Sequence, residues 1–176
     1  MVAQPSRRLV LAAAAIGPLT VGGCKGITAL GPVPKPGRDV VTLEHAITAE
    51  ELMVARYQSA VTALTSAGAT GMQARARAAV AAILTEHEAH LERLKSRLVL
   101  PERLATRKPR PSPAPAPLPS GRHAILADLA AAETGASDRL IGWLTDVPPA
   151  LAQLVASIAA SEAAHVVVLG HPGGAR

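Results

Sequence analysis

Ionisable side chains interrupt four stretches of the sequence that otherwise place apolar residues at alternating steps of three and four. The interrupting residues are glutamate and histidine. A buried unpaired carboxylate costs several kcal/mol, so such groups must be paired, protonated or bound to a metal ion. Carboxylate oxygen and imidazole nitrogen suit iron, manganese or zinc. The interruptions therefore make six residues candidate metal ligands: Glu50, His87, His90, Glu133, Glu162 and His165.

The spacing of these residues favours a shared site. Glu162-x-x-His165 places both side chains on one face of a helix, within reach of one ion. His87-x-x-His90 has the same spacing but begins with histidine, and Glu86 could replace the missing carboxylate after a small rotation of the helix. The alternative is that the glutamates and histidines form structural pairs in a helical core. The pattern assigns no catalytic residue and leaves open whether one or two ions bind.

Four helices must position these side chains. The chain is 49% hydrophobic but only 1% aromatic, and it lacks the alternation typical of strands, so the composition favours an all-α fold. The apolar periodicity predicts helices over residues 42–64, 72–98, 123–145 and 149–169, with Thr42 as the N-cap of the first helix. Pro148 and Pro149 stand where proline is favoured at a helix start.

The two halves of the chain are similar to one another. Residues 43–50 align with 126–133, and residues 83–90 align with 158–165. The short link before residue 72 predicts an antiparallel pair of helices, and residues 99–122, with the proline-rich stretch 109–117, predict a long extended crossover. We therefore expect residues 40–170 to form a four-helix bundle made of two antiparallel helical hairpins joined by a proline-rich crossover.

The candidate ligands resemble those of the ferritin-like di-metal carboxylate family, in which two helices supply one glutamate each and two supply Glu-x-x-His. Glu50 and Glu133 match the single glutamates, and Glu162-x-x-His165 matches one full motif, whereas His87-x-x-His90 departs from the other. Residues 49–52 and 157–165 resemble the small ferritin-like domain proteins of actinobacteria, many of which are exported. The resemblance implies a ferritin-like fold and a metal site, but no reaction.

The first 24 residues have the features of an export signal. Arg7 and Arg8 precede an apolar run over residues 9–21 that is too short for a confident membrane span. The twin arginines resemble a twin-arginine signal, and a general secretory signal is the alternative. Gly22-Gly23-Cys24 resembles a lipobox, which predicts lipidation of Cys24. Residues 25–39 then form a Gly/Pro-rich spacer, and residues 171–176 a tail. We expect an exported protein that is lipid-anchored on the outer face of the bacterial cytoplasmic membrane.

Composition also excludes several classes of function. The single cysteine excludes an intrachain disulfide and a cysteine-based zinc finger. The net charge is +5, but the basic residues between 93 and 110 lack aromatic stacking partners, so we expect no nucleic-acid partner. The sequence thus predicts an exported ferritin-like lipoprotein that binds iron, manganese or zinc. The alternative is a non-catalytic bundle lipoprotein that binds an envelope partner. Enzymatic activity, a protein partner and homo-oligomerisation stay open.

Overall fold

Four α-helices make up most of the described chain. A computed structural model describes residues 36–66, 71–98 and 114–172. The helices are α1 (Arg38–Ser66), α2 (Gly71–Arg97), α3 (Arg122–Trp143) and α4 (Pro149–Gly170), with a 3₁₀ turn at Leu144–Asp146. No strand occurs in these three ranges. The prediction of an all-α fold with four helices is confirmed. The predicted signal residues Arg7, Arg8 and Cys24, and most of the crossover, lie outside the described residues.

The first helix begins earlier than its sequence predicts. α1 starts at Arg38, and Thr42 lies buried inside it, so the prediction that Thr42 caps the helix is wrong. Residues 38 and 39, expected in the spacer, belong to α1. Asp39 lies in the first turn, where a negative charge interacts favourably with the helix dipole. Arg38 forms a 3.3 Å ion pair with Asp146 in the 3₁₀ turn, a contact that the local sequence does not reveal.

The limits of the last two helices follow from glycine and proline. Gly121 has a φ of 90°, in the left-handed region that favours glycine, and α3 begins at the next residue. α3 ends at Trp143, two residues before the predicted end, because the chain tightens into the 3₁₀ turn. Pro148 is the N-cap of α4, and Pro149 is its first residue, where the missing N–H costs nothing.

The interior of the bundle has three levels. Two clusters of buried apolar residues lie at its two ends, and a layer of buried glutamate and histidine lies between them along each helix; we call this the polar layer. The first apolar cluster includes Met53, Tyr57, Leu64, Val80, Ile83, Leu126, Leu129 and Leu169. The second includes Leu43, Ile47, Leu94, Leu140, Val155 and Ile158. The polar layer consists of Glu50, His87, His90, Glu133, Glu162 and His165.

The buried stripe of α1 continues beyond Glu50 through Met53, Tyr57, Ala60 and Leu64, whereas Val54 and Val61 are only half-buried. α1 packs most extensively on α2, and α3 on α4. The part of the crossover that the structure describes, residues 114–121, is largely exposed, although Leu118 packs against the first apolar cluster.

α4 is the most apolar of the described helices. By length and composition alone it could cross a membrane, and it is the one helix of the described ranges that meets this criterion. In the structure its buried face contributes Val155 and Ile158 to the second apolar cluster and Leu169 to the first. Glu162 and His165 are buried between them. The apolar run therefore supplies core residues at both ends of the bundle.

Candidate metal centre

The structure buries all six candidate ligands in the polar layer, one or two from each helix, but Glu162 belongs to neither group of donor atoms that could hold one ion. Each side chain is buried, because every one of these residues is at most 6% exposed. α1 supplies Glu50, α3 supplies Glu133, and the other two helices supply two residues each. Placing a glutamate or histidine within an otherwise apolar stripe is thus sufficient to bury it, because apolar neighbours one turn away hold that face of the helix against the core.

His87 lies at the centre of the layer. Its Nδ1 is 2.9 Å from Oε2 of Glu50, and its Nε2 is 2.9 Å from Oε1 of Glu133. Burial alone lowers the pKa of His87, but hydrogen bonds and charge from Glu133 and Glu50 outweigh that effect and raise it to about 10. At neutral pH the ring is therefore an imidazolium that donates a hydrogen bond to each carboxylate.

The ligand atoms form two groups of three that share His87. Glu50, His87 and His90 make one group, and His87, Glu133 and His165 make the other; within each group the ligand atoms lie within 4.8 Å of one another. In the first group, His90 Nδ1 is also 3.6 Å from Glu50 Oε1. In the second group, His165 Nδ1 is 3.4 Å from Glu133 Oε1.

These separations are close to those between neighbouring ligands of one ion. Ligand bonds of about 2.0–2.2 Å put adjacent donor atoms roughly 3.0 Å apart in an octahedral site and roughly 3.4 Å apart in a tetrahedral site. The observed nitrogen–oxygen separations of 2.9, 3.4 and 3.6 Å lie close to these values. Each group therefore brings three donor atoms, all within 4.8 Å of one another, to a place where one ion could bind.

The polar layer contains buried polar atoms that no hydrogen bond satisfies. Buried side-chain nitrogen and oxygen atoms nearly always have a partner, because leaving one unpaired costs about 1–3 kcal/mol. Within the ranges that the structure describes, every buried unpartnered side-chain atom belongs to this layer. They are Glu50 Oε1, His90 Nδ1, Glu133 Oε2, Glu162 Oε2 and His165 Nδ1. All five can coordinate a metal ion, so the donor set fits a transition metal.

Protons are distributed unequally among the three glutamates. Burial, followed by the negative charges of Glu50 and Glu133, raises the pKa of Glu162 to about 9, so this carboxyl is protonated at neutral pH. Burial also favours the neutral form of Glu133, but contacts with His165 and His87 outweigh it and lower the pKa to about 2. Burial alone raises the pKa of Glu50, but hydrogen bonds and charge from His87 and His90 outweigh that effect and lower it. Binding an ion through Glu162 would therefore release a proton.

Glu86 lies on the outer side of the layer. Its carboxylate is 3.0 Å from Nε2 of His165 and accepts a hydrogen bond from Ser161 at 3.2 Å, while its side chain is 54% exposed. The other ring nitrogen of His165 faces Glu133. Glu86 belongs to neither group of three ligands. A carboxylate on the outer nitrogen of a ligand histidine orients the ring and increases its basicity, and Glu86 occupies that position.

Tyr57 is part of the site, although it was not among the residues predicted for it. Its hydroxyl donates a short hydrogen bond to Oε1 of Glu133, and its ring centroid lies 4.9 Å from that of His87. Burial and the charge of Glu133 raise the pKa of Tyr57, so the phenol stays protonated and remains a donor. The sequence does place Tyr57 two helical turns after Glu50 on the same stripe, but an ordinary core residue could occupy the same position.

Beside Tyr57, Arg56 forms a two-pronged ion pair with Asp128, with nitrogen–oxygen distances of 2.6 and 3.1 Å, and so joins α1 to α3.

Comparison with protein-family models, with curated proteins and with solved structures finds no match to this chain. The functional inference therefore depends on the site itself.

Proposed function

We propose that this protein is an exported, lipid-anchored, ferritin-like bundle that binds iron, manganese or zinc through its polar layer. The observation that carries the proposal is the set of five buried ligand atoms of that layer that form no hydrogen bond, although His90 Nδ1 and His165 Nδ1 lie 3.6 and 3.4 Å from carboxylate oxygens of Glu50 and Glu133. A core built only to pair charges would leave few such atoms, since each one costs stability. A bound ion supplies the missing partner for several of them at once.

The order of the three levels along each helix supports the ferritin-like assignment. α1 passes from the second apolar cluster to the first, and α2 passes back. α3 again passes from the first cluster to the second, and α4 returns. α2 and α3 therefore run in the same direction, and α3 begins at the opposite end of the bundle from the end of α2. Two antiparallel hairpins joined by one long crossover form the connectivity of ferritin-like proteins.

The residues of the layer have distinct tasks in this proposal. Glu50, His90, Glu133 and His165 provide ligand atoms, and His87 and Glu162 become ligands when they lose their protons. Tyr57 holds Glu133, and Glu86 holds His165, so two ligands are oriented before binding. A bound redox-active ion would supply electron transfer or an open position for dioxygen or peroxide. The anchor at Cys24 and the export signal rest on the sequence alone.

A second candidate function has its own observation. The hydrogen bonds from His87 to Glu50 and Glu133 already compensate two buried carboxylates without any metal. The bundle would then be a non-catalytic lipoprotein that binds an envelope partner, with the polar layer as structural Glu–His pairs.

Elemental analysis separates the two candidates. The full chain is purified without chelator, and its iron, manganese and zinc contents are measured together with its melting temperature before and after chelation. We expect a stoichiometric metal content that is lost in His165→Ala and retained in Glu88→Ala, an exposed glutamate of α2 next to His87. A parent protein that contains none of the three metals, and that none of them stabilises when added, would contradict metal binding and support the second candidate.

A further inference from the structure

A cavity of about 560 Å³ lies at the end of the bundle where α2 and α3 begin and α4 ends. None of the residues that line it belongs to the polar layer, so it is a separate feature. Leu126 and Leu169 of the first apolar cluster form part of its wall, together with Ala130 and Met72. A concave, mostly apolar space of this volume is typical of sites for small organic ligands.

The polar residues of the cavity are basic. Arg75 and Arg122 line it, together with two histidines, and none of the described residues that line it is acidic. Within the described ranges neither arginine forms an ion pair; Arg122 contacts His123 at 2.8 Å. Met72, also in the lining, is 66% exposed although it is apolar. Uncompensated positive charge beside an exposed apolar wall is complementary to a molecule with an anionic head and an apolar body.

We propose that this cavity binds a single-chain anionic amphiphile of the long-chain fatty acid class. The acyl chain packs against the exposed Met72 and Ala127, which lie beside the buried Leu126 and Leu169, and the carboxylate binds Arg75 and Arg122. A guanidinium presents a planar fork of donors that matches a carboxylate, which gives the head its orientation. The proposal concerns a different site from the polar layer, so it stands or fails independently of metal binding.

Photolabelling with a defined probe tests the proposal. The full chain is irradiated with a palmitate analogue that carries a diazirine in its chain, and the labelled peptides are mapped by mass spectrometry. We expect saturable labelling at the starts of α2 and α3. Unlabelled palmitate should compete at least about tenfold better than hexadecanol, which has the same chain without the charge, because a hydrogen bond to a charged group contributes that much.

Variants locate the binding site. Ala127→Trp places a large ring in the cavity from an exposed position of α3 and should abolish the labelling. Arg75→Gln combined with Arg122→Gln should weaken competition by palmitate about tenfold or more. The matched control is Arg77→Gln, an exposed arginine of α2 outside the cavity, which should bind like the parent. Circular dichroism checks the helix content of each variant, and the arginine variants change only side chains outside the core.

Several results would overturn the proposal. They are labelling that does not saturate, labelling that maps elsewhere, and equal competition by palmitate and hexadecanol. Displacement of the probe by phosphatidylglycerol vesicles but not by free palmitate would show that the surface recognises a bilayer, which contradicts a single-chain ligand. Labelling that Ala127→Trp leaves intact in a folded protein would place the ligand outside this cavity.

Discussion

Replacing Glu162 with glutamine should change how the stability of the metal-free protein depends on pH. Glu162 is buried near two ionised carboxylates, and its pKa in the folded protein is about 9, compared with an ordinary value of 4.5. Between these two values the folded state holds a proton that the unfolded state has lost. The free energy of unfolding of the parent therefore falls as pH rises through this window. Glutamine has nearly the shape of the protonated acid but cannot ionise.

The size of the effect follows from proton linkage. One extra proton in the folded state gives a slope of about 1.4 kcal/mol per pH unit. Between pH 6 and 8, both inside the window, the parent should lose about 2.7 kcal/mol relative to Glu162→Gln. The pKa of His87 is about 10 in the folded state, compared with an ordinary value of 6.5. The protonated ring therefore contributes fully to the free energy of unfolding below pH 6.5, and this contribution is lost as pH rises towards 10. Both proteins retain His87, so the comparison cancels its contribution.

Urea unfolding followed by circular dichroism measures the effect. The full chain is studied in chelator at pH 6, 7 and 8, with Glu88→Gln as the control because Glu88 is exposed on α2. We expect the curves of the parent and of Glu88→Gln to fall in parallel, and the curve of Glu162→Gln to fall less steeply. A curve for Glu162→Gln that is parallel to the parent's would show instead that Glu162 is ionised in the folded protein at neutral pH.

Three further predictions concern the neighbours of the layer and the anchor. Glu86→Ala should weaken zinc binding about 10- to 100-fold in a chelator competition assay, because His165 loses the carboxylate that orients it, and Glu86→Gln should weaken it less. Equal losses in both variants would argue against an orienting role. Tyr57→Phe should lower the free energy of unfolding by about 1–3 kcal/mol in urea, because Glu133 loses a buried hydrogen bond. An unchanged value would show that the bond contributes nothing. Cys24→Ala should move the protein out of the membrane fraction, and a variant that stays membrane-bound after cleavage of its leader would contradict lipidation.

Burial along the helices was predictable because it depends on local periodicity. In α4 the residues Val155, Ile158, Glu162, His165 and Leu169 recur every three or four positions, and all five are buried. Residues at this spacing share one face of a helix wherever the helix packs. A chain with four such stripes has to bury them against one another, so four helices and a shared polar layer could be inferred before any contact was known.

Helix limits were less predictable than burial. α1 starts at Arg38, where an exposed ion pair with Asp146 joins positions 108 residues apart. Thr42 is a good N-cap by type, but the helix continues past it towards the N-terminus. Capping preferences amount to only about 1 kcal/mol, so a few tertiary contacts can outweigh them.

The residue types that interrupt the core, and their spacing, could be read from the chain alone, because those properties belong to each helix separately. What each of these residues does depends on how the helices pack. His87 stands between Glu50 and Glu133, and Glu162 rather than either of them carries a proton at neutral pH. Desolvation and the energy between charges depend on distances between side chains on different helices, and those distances exist only once the four helices pack.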